Sequence, residues 1–299
     1  MAFVVYMSPR QHYRVPLPGG ASLPLGERTL IMGVINVTPD SFADGGERFD
    51  AARAVADGLA MVRDGADILD VGGESTRPGA EPVPLVEELR RVLPVVEGLA
   101  GARVPLSVDT YKAAVAAEAI ARGAVLVNDV SGLQYDPELG KVVAQAGAAI
   151  VLMHNRGRSK SMYLEAVYDD VTAAVVEELR QAMARAEAAG ISREAIILDP
   201  GLGFAKRAEH TWASLAGLER LQALNRPLLS GPSRKSFLTS ATGERAPRDR
   251  DWATAAAVTA SILGGAHIVR VHNVRAMADV VRVADRVVAA AIERGPKRT

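Results

Sequence analysis

Residues 30–39 read LIMGVINVTP, an unbroken apolar run that ends on Asn36 and passes into a polar turn. Runs of this length, rich in Val, Ile and Leu, suit strands of a parallel sheet buried on both faces. The device recurs along the chain. After Leu30–Val37 come Ile68–Gly72, Val104–Val108, Val125–Val130, Ala148–Met153, Ile196–Leu198, Pro227–Leu229 and Ile268–Val271. Between the runs the apolar positions fall at spacings of three and four. Met277, Val280, Val281, Ala284, Val287, Val288 and Ala291, for example, make one stripe along a helix. Eight strands alternating with helices over roughly 270 residues predict an α/β fold, a single (β/α)8 TIM barrel. An open doubly wound sheet is the alternative, but it would place a Gly-x-Gly-x-x-Gly turn after an early strand. The first run ends in Asn-Val-Thr-Pro instead.

Residues 1–28 stand outside this pattern. Phe3–Tyr6 and Tyr13–Leu17 suit two short strands, with Pro16, Pro18, Gly19 and Gly20 marking turns. A hairpin that closes the bottom of the barrel and a partly disordered extension are both open readings. The chain therefore divides into an extension over 1–28, a barrel over 29–294 and a tail over 295–299. Its composition, 48% apolar and 23% charged, is that of a globular protein. Thirty-five basic and 35 acidic residues cancel, so there is no global basic excess to hold nucleic acid. The chain has no cysteine, which excludes disulfides, thiolate catalysis, iron–sulfur clusters and cysteine zinc sites, and suits a reducing cytoplasm. Neither a signal peptide at Met1–Arg10 nor a membrane span is expected.

In a barrel of this kind the chemistry gathers at the C-terminal ends of the strands. Read in order, those ends carry Asn36, Glu74-Ser75-Thr76-Arg77, Asp109, Asn128, Met153-His154, Asp199, Ser233-Arg234-Lys235, and Arg270 with His272. A lone Asp after a strand is ordinarily a helix cap, and Asp109 or Asp199 taken singly would be read so. Caps do not require Asn, Asp, Lys, Arg and His to meet at one mouth. Carboxylates at Asp109 and Asp199 accept from ring N–H and amino groups, while Asn128 and Lys235 serve carbonyl and ring nitrogens. Arg270 offers a planar cation able to stack on a ring. Asn36, Arg270 and His272, on the neighbouring first and last strands, suit an anion. The residue types thus describe a pocket for a base-like heterocycle beside an anion site. Two long loops at this rim, Thr38–Asp50 and Glu74–Pro84, are expected to act as lids.

The motifs MGVINVTPDSF at 32–42, ILDVGGESTRPG at 68–79, SVDTYK at 107–112 and VNDVSG at 127–132 resemble those of the dihydropteroate synthase family. So do VLMH at 151–154, ILDPGLGFAK at 197–206, SGPSRKSF at 230–237 and VRVH at 269–272. They occur in the family's order from residue 32 to 272. The resemblance implies condensation of 6-hydroxymethyl-7,8-dihydropterin pyrophosphate with 4-aminobenzoate to 7,8-dihydropteroate and pyrophosphate. It implies that Asp109, Asn128, Met153, Asp199, Lys235 and Arg270 hold the pterin. Asn36, Arg270 and His272 would hold the pyrophosphate, with Asn36 reaching Mg²⁺. Aminobenzoate would meet Phe42, Thr76, Pro78, Phe204, Ser233, Lys235 and Ser236. Asp44 and Arg77 on the loops, with Lys235, would act in catalysis, and the protein would be a homodimer through its last helices.

Two features depart from the family's pattern. His272 is followed by Asn273 where members commonly have Asp, and Asn155–Lys160 is unusually basic, which suits either anion capture or a solvated surface. Other functions are also open: a corrinoid-linked methyltransferase acting on a reduced folate, a silent pterin-binding paralogue, or a Schiff-base aldolase using Lys235.

Overall fold

The computed structural model describes residues 10–38, 51–77 and 79–293. Ten strands lie in these segments: β1 (Tyr13–Pro16), β2 (Ser22–Leu25), β3 (Leu30–Asn36), β4 (Ile68–Gly72), β5 (Leu106–Asp109), β6 (Ala124–Asp129), β7 (Ala149–Met153), β8 (Ile196–Asp199), β9 (Leu229–Ser230) and β10 (Ile268–Val271). The helices among the described residues are α1 (Ala51–Arg63), α2 (Leu85–Leu99), α3 (Ala113–Ala121), α4 (Leu139–Ala146), α5 (Val171–Ala188), α6 (Ala208–Ala216), α7 (Thr239–Thr242), α8 (Asp251–Leu263) and α9 (Val274–Glu293). Strands β3 to β10 form one parallel sheet in the order β8-β7-β6-β5-β4-β3-β10-β9. A parallel bridge between Leu198 and Leu228 brings its two ends together, so the sheet closes as a barrel.

The eight apolar runs all became strands, with most bounds moved by a single residue and two starts moved by two. The runs expected from Val104 and from Pro227 begin their ladders later, at Leu106 and Leu229. Pro105 and Pro227 have no N–H to give to a ladder. Their carbonyls still accept, from Leu69 N at 3.1 Å and Leu198 N at 2.9 Å.

Successive side chains on a strand point to opposite faces, and here the two faces do different work. Outward residues such as Ile31, Leu69, Val71, Ile150, Leu152 and Val269 pack under the helices. Inward residues Met32, Ile68, Leu126, Ala149, Val151, Ile197, Leu229 and Ile268 form a separate apolar cluster low in the barrel. That cluster is completed by Val15, Leu17, Leu23 and Leu25 of an antiparallel hairpin, β1 with β2. The hairpin closes the barrel bottom. Its second strand is Ser22–Leu25, whereas Phe3–Tyr6 lies outside the described residues. The stretch SLPL was easy to pass over because it is short and carries Pro24, yet it alternates exposed and buried as a one-sided edge strand should.

Two residues further up the same inward face the chemistry changes. Ile68 is followed by Asp70, Leu126 by Asn128, Ile197 by Asp199, and Ile268 by Arg270. The apolar floor therefore sits one pleat beneath a charged layer. Leu25 is 3% exposed within the floor, so Leu25→Ala should cost about 2–5 kcal/mol in urea unfolding. Leu164→Ala, at a site 81% exposed, should stay within about 0.5 kcal/mol. Equal effects would show that the hairpin does not seal the barrel.

Candidate active site

At the centre of the charged layer Arg270 is held between two carboxylates. Its Nε donates to Asp70 Oδ2 and its Nη2 to Asp109 Oδ2, both at 2.6 Å. The same Asp70 oxygen accepts from Asn128 Nδ2 at 2.9 Å. Burial works against the charge on Arg270, but Asp70 and Asp109 outweigh it and raise its pKa. Burial, with Asp70 adding to it, pushes Asp109 above the usual carboxylate range although Arg270 opposes the shift. Gly72 is what lets Asp109 lie across the neighbouring strand, since a Cβ there would sit 3.2 Å from that of Asp109. Asp70 was not among the residues picked out from the sequence. Its signal was available: a fully buried carboxylate in the middle of the apolar run ILDVG, on the face that turns polar one step later.

The β7–β9 side supplies the remaining pocket groups. Asp199 is buried and accepts from Gly201 N at 2.7 Å. Burial raises its pKa, with Lys235 opposing. Gly201 has φ +65, and a Cβ on it would lie 2.0 Å from the His154 carbonyl oxygen, so only glycine can make this turn. Lys235 donates to the Leu202 carbonyl and lies 4.5 Å from the Phe204 ring centroid. Burial, partly offset by Asp199, lowers its pKa to about 8. Met153 is buried at the end of β7 and forms an apolar wall.

Beneath this loop lies Lys206, a second cation that sequence reading missed, 2% exposed. Its Nζ contacts His154 Nδ1 at 2.7 Å and donates to the carbonyls of Gly201 and Phe204, both at 3.1 Å. Lys206 therefore ties the turn after Asp199 to the end of β7. Burial, against the pull of Asp199, lowers its pKa to about 7. His154 Nε2 in turn lies 3.0 Å from Glu178 Oε2.

The anion end is built from neighbouring strands. Asn36 Nδ2 lies 3.5 Å from His272 Nε2, and Ser233 Oγ lies 2.9 Å from His272 Nδ1. Burial together with the positive field of Arg270, Arg234 and Arg77 lowers His272 to about 3. The ring is thus neutral at pH 7 and acts as a hydrogen-bonding group. Asn273 Oδ1 accepts from Ala276 N at 3.2 Å, capping α9, while its Nδ2 donates to Asp251 Oδ2 at 2.8 Å. Asp251 also accepts from Arg234 Nε at 2.8 Å. A second carboxylate at position 273 would face Asp251, and the amide avoids that repulsion.

Thr76 is half-buried, while Arg77 and Ser236 are exposed at the rim. Phe42, Asp44 and Pro78 lie outside the described residues. Among the described residues no group of three His, Asp or Glu side chains could form a metal cage. Asn36 is the one described residue here expected to hold Mg²⁺, and its amide oxygen is a hard donor of the type that ion takes.

Fold and geometry together define a (β/α)8 barrel with a buried polar well at its mouth and an adjoining cluster of Asn36, Ser233 and His272. The pterin-binding enzyme family matches residues 32–272. A dihydropteroate synthase of Synechocystis is 45% identical over 92% of this chain and 96% of its own. Two solved structures of Xanthomonas albilineans dihydropteroate synthase also match. One, with 4-aminobenzoic acid, has a TM-score of 0.84 and 41% identity, covering 94% of this chain and 100% of that one. The other, in complex with 7,8-dihydropteroate, has a TM-score of 0.81 and 39% identity over the same shares. The chain belongs to the dihydropteroate synthase family of pterin-binding enzymes, which are transferases.

The buried rings give the stability of the fold a pH dependence. His154 and His267 are lowered by burial to about 4, and His272 to about 3. Below pH ~6.5 the unfolded chain takes up protons that the folded rings refuse, so stability falls toward acid. Each ring should contribute on the order of 1 kcal/mol per pH unit between about 6.5 and its folded value. Urea titrations from pH 7 to 5 should show this slope, and His154→Gln should flatten it. Burial raises Asp109 and Asp199, which opposes this slope, so equal slopes in His154→Gln and its parent would show that His154 is not buried as a neutral group.

Proposed function

We propose that this chain joins 6-hydroxymethyl-7,8-dihydropterin pyrophosphate to 4-aminobenzoate, giving 7,8-dihydropteroate and pyrophosphate. The observation that carries this reading is the adjacency of two unlike sites at one mouth. The Asn128–Asp199–Lys235 well matches the amide and amino edge of a pterin, and Asn36, Ser233 and His272 stand beside it for an anion.

The reaction needs no nucleophilic side chain. The C–O bond to pyrophosphate breaks with its electron pair leaving on oxygen. The amine lone pair of aminobenzoate then forms the C–N bond, and the amine proton passes to solvent. Asp109, Asn128, Asp199 and Lys235 bind and orient the ring, with Met153 and Arg270 against its faces. Asn36, Arg270 and His272 receive the pyrophosphate; Asn36 would also hold Mg²⁺, which when bound neutralises charge on the leaving group. Asp44 is assigned to the positive charge developing at the methylene, where a fixed carboxylate in a water-poor site is effective, and Arg77 to the loop that completes the site. Aminobenzoate is assigned to Phe42, Thr76, Pro78, Phe204, Ser233, Lys235 and Ser236. Lys235 spends its ammonium on Leu202 and faces Asp199, which suits a hydrogen-bonding post better than a Schiff-base amine.

We assign the protein to the cytoplasm as a homodimer. No helix among the described residues is long and apolar enough to cross a membrane. Support for a dimer through the last helices comes from their exposed apolar side chains, Trp252 and Leu263 on α8 with Val283 and Val287 on α9.

Incubation with both substrates and Mg²⁺ should yield dihydropteroate by mass. Asp199→Ala should weaken binding of a pterin by about 1.5–3 kcal/mol in calorimetry, the loss expected for charge-assisted hydrogen bonds. Absence of product, or an unchanged pterin affinity, would overturn the assignment.

A further inference from the structure

The basic stretch Asn155–Lys160 after β7 has no place in the chemistry above, and its contacts lead away from the pocket. Arg156 pairs with Glu178 and lies 4.1 Å from the Tyr168 ring centroid, on the stem of its own loop. Arg158 does something different. Its guanidinium carbon lies 4.4 Å from the Tyr135 ring centroid and 5.9 Å from that of Tyr111. The two rings meet edge to face with centroids 5.2 Å apart. Tyr135 OH donates to the Gly157 carbonyl and accepts from Asn155 Nδ2 at 3.3 Å, so the platform is fastened to the loop on both sides of Arg156. The loop itself is pinned where Met162, 1% exposed, donates its N–H to the Arg158 carbonyl at 2.9 Å.

Two further contacts of this loop run to the lid that follows β4. Ser159 O accepts from Gly79 N at 2.9 Å, and Lys160 Nζ lies 2.6 Å from Glu81 Oε1. Tyr111 OH donates to Glu74 Oε1 at 2.8 Å, at the start of the lid. The other Glu74 oxygen accepts from Val83 N at 2.9 Å, near the end of the lid, and from Lys112 Nζ at 2.7 Å. The grip at Gly79 falls two residues from Arg77, whose carbonyl accepts from Ala80 N at 3.0 Å. Arg77 is one of the charges that bear on His272 at the anion end.

We propose that Arg158, seated on the Tyr111–Tyr135 pair, is a positioning residue that sets where Arg77 stands, by making residues 155–162 a strap on the lid. Arg158 touches no substrate. It orders a platform and a carbonyl, and these fix the backbone that carries the cation. The consequence is selective: pyrophosphate-dependent steps feel the strap, while the pterin well of Asn128 and Asp199 does not. This inference rests on the reading of Arg77 as a partner of the reacting centre, so its test includes a readout of the lid alone.

The chain has no cysteine, so a nitroxide on Pro82→Cys, an exposed lid position, reports lid motion without competing labels. In that background Arg158→Ala should increase label mobility. It should also weaken binding of pyrophosphate by about two- to fivefold, the fold-change matching a cation–π contact at an exposed site. The KM for aminobenzoate should rise while pterin affinity stays unchanged, and Arg158→Lys should recover part of the loss. An immobile label in Arg158→Ala would overturn the proposal. So would a freed label with unaltered pyrophosphate binding, or a parallel loss of pterin affinity. Failure of the broader functional reading would show separately, as a labelled parent that forms no dihydropteroate.

Discussion

The placement of one guanidinium inside a closed barrel governs the rest of this structure. Arg270 sits one pleat above an apolar floor, with its Nε bonded to Asp70 and its Nη2 to Asp109. A charge in such a place is costly unless it is paired and hydrogen-bonded. The inward face meets that requirement by setting Asp70 and Asp109 against Arg270, while Lys235 and Lys206 on the loops above are held by backbone carbonyls near Asp199. Removal of Arg270 would leave Asp70 and Asp109 desolvated without their cation. The strands can therefore carry strong chemistry at their upper ends only because the whole layer is balanced.

That balance explains the division between the two halves of the molecule. The hairpin β1–β2 seals the floor with Val15, Leu17, Leu23 and Leu25, so water does not reach the charged layer from below. From above, the loops after β8 and β9 lean on it. Lys206 fixes the carbonyls of Gly201 and Phe204, and Arg234 with Asp251 and Asn273 braces the segment between Ser233 and Lys235 against the start of α9. Burial, together with the positive field from Arg270 and its neighbours, also keeps His272 neutral. An anion arriving there meets neutral donors and the field of the arginines, without first having to share a proton with the imidazole.

Much of this was legible in the sequence, for an identifiable reason. Runs such as LIMGVIN and AIVLM contain so little polarity that only strands buried on both faces suit them, and their polar terminal residues mark the rim directly. Asn36, Asn128, Met153, Asp199 and Lys235 all sit at the mouth where strand ends put them. Asp70 was hidden because it lies inside a run, and a mid-strand carboxylate announces a function only when its cross-barrel partner is known. That partner, Arg270, is 200 residues away in the chain. Lys206 was hidden for a related reason: it follows a Gly-rich turn, where a lysine is normally solvated, and tertiary packing alone buries it. The hairpin strand Ser22–Leu25 lacked the length that makes alternation visible. The basic stretch at 155–160 was visible as charge, but its destination on Tyr135, Tyr111 and the lid depended on contacts across loops.

The central claim is that the Asp70–Arg270–Asp109 arrangement pre-sets the pterin well without Asp70 belonging to the rim. The most direct measurement is the calorimetric affinity of Asp70→Asn for a pterin, taken with a far-UV spectrum showing the barrel intact. The substitution keeps size and hydrogen bonding but removes one of the two charges that hold Arg270. The account predicts at least a tenfold loss of affinity, about 1.4 kcal/mol, because Arg270 loses one of the two charges that hold it and only an uncharged amide oxygen remains to accept from it and from Asn128. A folded Asp70→Asn protein that binds pterin as tightly as its parent would contradict it.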